Sequence, residues 1–221
     1  MPEIFPDHDV VTLINVLTVD PERQDDLVDL LIASTEGSVR ERPGFVSASI
    51  HPSLDGSRVV NYAQWRTEDD FLAMARDPET RKQLAAARAI VERNEPNLYR
   101  VACTATGTGT ERSVAQISPD LDVVTLFNVI TVRPERQQRL ADLLVAATEN
   151  EIRELPGFVS ASIHTSLDGT SVVNYAQWRT PDDFRAMAGN PAAQKHLKEA
   201  RSLIEHNEPH LYRVAFTATG R

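Results

Sequence analysis

From Val10 to Val19 the chain reads VVTLINVLTV, a β-branched run that predicts a strand. Its alternate positions Val11, Leu13, Leu17 and Val19 are apolar, and one amide, Asn15, stands among them. Pro21 suits a first helical turn with Asp20 as its cap, and Leu27, Leu30 and Leu31 follow at helical spacing until Pro43-Gly44. Phe45–His51 predicts a second strand, Leu54-Asp55-Gly56 a hairpin turn, and Arg58–Arg66 a third strand. Thr67-Glu68-Asp69-Asp70 has the form of a capping box before a short helix carrying Phe71 and Met74. A further helix is expected from about Thr80 to Arg93, with Glu95-Pro96 ending it and Leu98–Thr106 forming a fourth strand.

The whole pattern then occurs again. Asp9–Gly107 aligns on Asp122–Gly220 at a constant offset of 113, without a gap and with 68 identities in 99 positions. The period is too long for a solenoid repeat, so the chain is a duplicated domain. The expected boundaries are residues 1–107 and 122–221, with 108–121 as a linker of small and polar residues. Each copy has the order β-α-β-β-α-β, an α+β, ferredoxin-like plan. Such a sheet carries helices on one face only and needs a cover for the other. Two copies in one chain can supply it, sheet against sheet, and a 14-residue linker spans roughly 45 Å when extended.

Strand alternation then sorts the polar residues. VVNYAQWRT stands at Val59–Thr67 and again at Val172–Thr180. Asn61 and Trp65 share a face with Val59 and Ala63, while Tyr62, Gln64 and Arg66 share the other, expected to line the contact between the sheets. In the last helix Arg88 interrupts the stripe Leu84, Ala87, Val91, as Arg201 does among Leu197, Ala200 and Ile204. A buried amide or indole N–H without a partner costs on the order of 1–3 kcal/mol. Asn15, Asn61, Trp65 and Arg88, repeated as Asn128, Asn174, Trp178 and Arg201, therefore point to a small-ligand pocket in each copy. His51 and His164 end the second strands, on the expected face of Phe45, Ser47 and Ser49.

Charge and composition narrow the chemistry. A formal net charge of −9 argues against a nucleic-acid partner, and no stretch of about 20 apolar residues predicts a membrane span. The N-terminus lacks the pattern of a secretory signal, so a cytoplasmic protein is expected. The lone Cys103 corresponds to Phe216 and is expected to be a buried strand position. No zinc-ligand spacing, GxGxxG, phosphate loop or serine elbow occurs, so no metal site is predicted. The pocket residues are hydrogen-bond donors and poor nucleophiles, suited to stabilising negative charge on oxygen.

An Asn in the first strand, PGFVSASIH in the second and NYAQWR in the third resemble the antibiotic biosynthesis monooxygenase family, in particular its anthrone oxygenases, over nearly the whole chain twice. The resemblance implies a fused pseudo-dimer, an intrachain α/β barrel. It also implies a monooxygenase that needs no metal, haem or flavin and turns an anthrone-type or phenolic polyketide intermediate into a quinone with O2. It carries catalytic roles to Asn15, Asn61, Trp65, Asn128, Asn174 and Trp178, and substrate-binding roles to Arg88, Arg201, His51 and His164. Two alternatives stay open: a reduced-flavin-dependent ring-opening oxygenase of polyketide pathways, and a non-catalytic ligand-binding protein. Haem degradation would need an axial histidine where DDFLAMAR and DDFRAMAG have none. Association into a homo-oligomer is left open.

Overall fold

A computed structural model of the chain describes residues 1–4, 6, 10–108, 114–191 and 198–220. A short strand, β1 (Glu3–Ile4), precedes the first unit. That unit comprises β2 (Val11–Val19), α1 (Gln24–Gly37), β3 (Phe45–Pro52), β4 (Arg58–Trp65), the short helices α2 (Glu68–Arg76), α3 (Pro78–Gln83) and α4 (Ala85–Ile90), and a long β5 (Val91–Thr106). Another short strand, β6 (Ala115–Gln116), leads to β7 (Val124–Val132), α5 (Gln137–Asn150), β8 (Phe158–Ser166), β9 (Ser171–Trp178), α6 (Pro181–Ala188), β10 (Ile204–Tyr212) and β11 (Phe216–Thr219). Two tandem ferredoxin-like units are thus present, as the pattern predicts.

Local chemistry explains the boundaries. The Asp20 carboxylate accepts from Glu22 N at 2.9 Å and opens the helical segment at Pro21. Thr67 accepts from Asp70 N at 3.1 Å and donates to its carboxylate at 2.7 Å, starting α2; Thr180 and Asp183 do the same for α6. Gly44 has φ 78°, and a Cβ there would fall 2.2 Å from Asp70 Cγ. Gln24, on the first turn of α1, donates to Ser53 O, Ser53 Oγ and Arg58 O and ties the helix to the β3–β4 hairpin. Gln137 makes the same three bonds to Ser166 O, Ser166 Oγ and Ser171 O.

Two expectations need correction here. The helix expected over Thr80–Arg93 breaks at Leu84 and ends at Ile90, and the chain is extended from Val91 onward. Pro96 does not end a helix; it lies inside a strand opposite Asn15, as Pro209 lies opposite Asn128 in the second unit. Over its first half β5 pairs with β2 alone, and a strand with one unpaired edge accommodates a residue that lacks an N–H.

All nine long strands join one antiparallel sheet, in the order β10-β7-β9-β8-β5-β2-β4-β3-β11. The long β5 pairs β2 with its first half and β8 of the other unit with its second. The corresponding segment of the second unit is split, β10 pairing β7 and β11 pairing β3 of the first unit. The expected barrel is therefore a curled sheet whose ladder is not closed. Between Tyr212 and Phe216 the strand lapses, although Arg213 N and Ala215 N still donate to Pro52 O (3.1 Å) and Ile50 O (2.9 Å). The curl is strong: Tyr62 on β4 and Tyr175 on β9 are four strands apart, about 19 Å in a flat sheet, yet their rings are 5.9 Å apart.

The space enclosed by the curl is filled from both units by Ile14, Val16, Tyr62, Tyr99, Phe127, Tyr175 and Tyr212. Gln64 and Gln177 line it as expected, whereas Arg66 is exposed beyond the strand end. The linker is more than a tether. β6 pairs with β1, and Ile4, Ala115 and Ile117 are buried against the interior cluster. The Gln64 and Gln177 amides hold this plug by donating to Glu3 O (3.2 Å) and Gln116 O (2.9 Å). Linker residues 109–113 fall outside the described ones. Cys103 is only half-buried, beside Glu149, instead of being a core position.

His51 and His164 are fully buried in this interior. His164 Nε2 meets Tyr62 OH at 3.1 Å, whereas neither ring nitrogen of His51 has a side-chain partner, its ring lying edge-on to Phe127 and Tyr175. Burial lowers the two pKa values to about 3 for His51 and about 4 for His164, with neighbouring backbone groups opposing it only in part. Both rings stay neutral in the folded chain, while in the unfolded chain they gain protons below about pH 6.5. Their contribution to stability is whole above that pH and falls as the pH drops toward 4, by about 1.4 kcal/mol per pH unit for each ring. Urea denaturation at pH 7 and pH 5 measures the loss. A His51→Leu/His164→Leu variant should lose less stability between those two pH values than the parent chain.

Candidate functional site

The opposite face of each sheet packs on the helices. In the first unit, Asn15 on β2 stands directly across the ladder from Asn61 on β4, and Trp65 lies two positions beyond Ala63 on the same face. Asn15, Asn61, Trp65 and Arg88 all line one cavity of about 350 Å³ between the sheet and α1, α2 and α4. Its walls are otherwise mainly apolar, with Leu13, Leu17, Leu31, Phe71 and Met74 among them. This volume lies at the lower end of the roughly 300–1,000 Å³ typical of small-molecule sites.

The polar atoms in this cavity are unpaid debts of folding. Trp65 is fully buried, wedged edge-on against Phe45 (5.4 Å) and Phe71 (6.1 Å), and its Nε1–H has no partner. The Oδ1 atoms of Asn15 and Asn61 are buried without partners as well, as is Ser34 Oγ. Each carboxamide has a donor and an acceptor end with which to meet a ligand. Arg88 is exposed and stands at the rim instead of under the sheet, so its guanidinium borders the opening.

In the second unit Asn128 faces Asn174 across β7 and β9, and Trp178 is buried between Phe158 (5.3 Å) and Phe184 (6.2 Å). Asn174 Oδ1 and Trp178 Nε1 are again buried without partners, while Asn128 Oδ1 accepts from Asn207 at 3.4 Å. Arg201 ends the helical turn over 198–201. Leu197, expected in the same stripe, lies outside the described residues together with 192–196.

His51 and His164 are not brought to these asparagines and tryptophans. A register step between Phe45 and Ser47 turns Phe45 toward Trp65, while Ser47, Ser49 and His51 point into the shared interior. Conversely, Glu92, Asn94 and Pro96 line the cavity although none was expected there. The parity of a strand starting at Val91 would have found them, since Asn94 lies opposite Leu17 and Pro96 opposite Asn15. Among the described residues no three His, Cys, Asp or Glu side chains gather as metal ligands, and no helix is long and apolar enough to cross a membrane.

Fold and cavity together define a tandem ferredoxin-like protein with a mainly apolar cavity that holds unpartnered polar atoms. The sequence profile of the antibiotic biosynthesis monooxygenase family matches residues 10–86 and again 123–199, and the chain belongs to that family. It is 54% identical to the tetracenomycin-F1 monooxygenase of Streptomyces glaucescens over 90 residues, which cover 41% of this chain and 80% of that protein. The crystal structure of an anthrone oxidase-like protein matches 99% of this chain and 96% of its own, with a TM-score of 0.89 and 22% identity. A major regulator of staphylococcal pathogenesis matches 91% of this chain and 98% of its own at a TM-score of 0.52 and 12% identity. At those identities the two structures share the fold alone, and a fold does not fix a function.

Removing an unpartnered buried acceptor should relieve the fold. Asn61→Leu, which replaces the amide with an apolar group of similar size, is expected to leave stability unchanged or raise it by about 1 kcal/mol. The urea midpoint measures this, and a clear loss would mean that the amide serves the structure.

Proposed function

We propose that the chain is a cofactor-independent monooxygenase that oxidises the CH2 carbon of an anthrone-type or phenolic aromatic polyketide intermediate to a quinone carbonyl with O2. The observation that carries this reading is the apolar cavity in which Trp65 Nε1–H and the Oδ1 atoms of Asn15 and Asn61 lack partners, with Arg88 at its rim. The likeness to a monooxygenase acting on tetracenomycin F1 supports the same substrate class.

The chemistry needs little beyond such a cradle. An anthrone CH2 lies between two rings and across from a carbonyl, so its proton leaves readily once the enolate oxygen is stabilised. Indole and amide N–H groups that reach that oxygen do so between mainly apolar walls, with the Arg88 charge added at the rim. The electron-rich anion passes one electron to O2, the radical pair combines to a peroxide, and loss of water leaves the new carbonyl. In sum, CH2 and O2 give C=O and H2O, and the substrate itself supplies the electrons. Asn128, Asn174, Trp178 and Arg201 take the same roles in the second unit.

Aerobic turnover of a tricyclic anthrone by metal-stripped, flavin-free protein tests the reading, with oxygen uptake and quinone absorbance as readouts. Asn61→Ala/Asn174→Ala and Trp65→Phe/Trp178→Phe variants should each lower kcat about 10²–10³-fold. Uptake that needs reduced flavin would point to a ring-opening oxygenase, and uptake unchanged in both variants would leave only a binding role.

A further inference from the structure

The proposed reaction begins with loss of a proton from carbon, and the cavity walls are nearly all donors or hydrocarbon. Its lining includes no His, Cys, Lys or Tyr, and a single carboxylate, Glu92. Building on the oxygenase reading, we propose that Glu92 is the general base of the first unit, and that the second unit's equivalent, Glu205, is diverted from this role.

Two features of the backbone present Glu92 to the site. Leu17 pairs with Asn94, Thr18 with Arg93 and Val19 with Val91, which leaves Glu92 as the extra residue of a β-bulge. Bulges re-aim side chains and recur beside active sites. Glu92 and Asn94 line the cavity with Val91 and Pro96, whereas Arg93, Glu95 and Asn97 line a cleft on the other side of the strand, which Pro96 also borders. The residue is exposed at the cavity edge, so a proton taken from carbon passes on to solvent.

The second unit keeps the carboxylate and the bulge but changes its neighbour. Glu205 is the extra residue between Ile204 and His206. Where the first unit has Asp20, the second has Arg133, whose Nε lies 2.5 Å from Glu205 Oε1. Asp20 cannot pair with Glu92, and its own carboxylate is engaged with Glu22 N. This ion pair engages a Glu205 oxygen and holds the carboxylate in one position. In the transfer itself the C–H bond breaks, its electron pair stays on the substrate as enolate, and the proton goes to a Glu92 oxygen to form a neutral carboxyl group. General-base assistance of this kind is worth about 10²–10⁴-fold.

Hydrogen exchange separates this step from the oxygen chemistry. The full chain is incubated with an anthrone in D2O without oxygen, and deuterium entry at the CH2 carbon is followed by NMR above the buffer rate. Glu92→Gln should slow exchange at least 10-fold while Trp fluorescence quenching by the anthrone stays within about 2-fold of the parent. Glu92→Ala should be slowed likewise and regain exchange when formate is added, which a structural role would not allow. Glu205→Gln should retain more than half of the parent rate. Parent-like exchange in Glu92→Gln removes Glu92 while the oxygenase reading stands, and equal losses in the two Gln variants overturn the difference between units. A parent chain that neither exchanges the proton nor consumes oxygen sinks the oxygenase reading and this proposal together.

Discussion

A four-stranded sheet with helices on one side leaves a bare apolar face, and water makes that face costly to expose. Here each unit covers the other's. Ile14, Val16 and Tyr62 of the first meet Phe127, Tyr175 and Tyr212 of the second inside one curled sheet. The long last strand of the first unit pairs at home and then crosses to its neighbour, and the second unit does the same with two successive strands. Burial and strand exchange therefore support each other, and neither unit presents its inner face to solvent. The N-terminal strand and part of the connecting segment close one end with Ile4, Ala115 and Ile117.

That arrangement commits every strand to two tasks at once. Alternate side chains serve the shared interior, and the rest serve the space under the helices. Within NYAQW the same eight-residue strand sends Tyr62 and Gln64 to the first and Asn61 and Trp65 to the second. Scaffold and site thus share one backbone, which places the candidate donors on strands, where they are held more rigidly than on loops. Trp65 Nε1, Asn15 Oδ1, Asn61 Oδ1 and Ser34 Oγ, all buried without partners, line the same cavity.

The duplication also lets the halves diverge without losing the fold. Ile14 in one copy is Phe127 in the other, and the larger ring packs against both His51 (5.1 Å) and Tyr175 (4.9 Å). His164 meets Tyr62 OH, while His51 has no such partner. Asp20 in the first copy is Arg133 in the second, and Ser34, which lines the first unit's cavity with an unpartnered hydroxyl, is Ala147 in the second copy. A single-unit homodimer could not hold such differences, because both copies would be encoded once.

Much of this was legible from residue order alone. Period-two and period-3.6 patterns gave the elements, the 113-residue offset gave the tandem units, and alternation placed Asn15, Asn61 and Trp65 on one face, because each depends only on neighbours along the chain. Three things were not. The bulge that turns Phe45 away from Ser47 and His51, the strand that begins at Val91 in place of a helix, and the plug formed by Ala115 and Ile117 all depend on partners far off in sequence. Local preference could not overrule them, since pairing with β2 and burial in a shared interior exceed the weak helical propensity of a short segment. The chain by itself determined which side chains travel together; only the curled sheet decided which of them meet in the interior and which border an open cavity, because that choice belongs to surfaces brought together over a hundred residues apart.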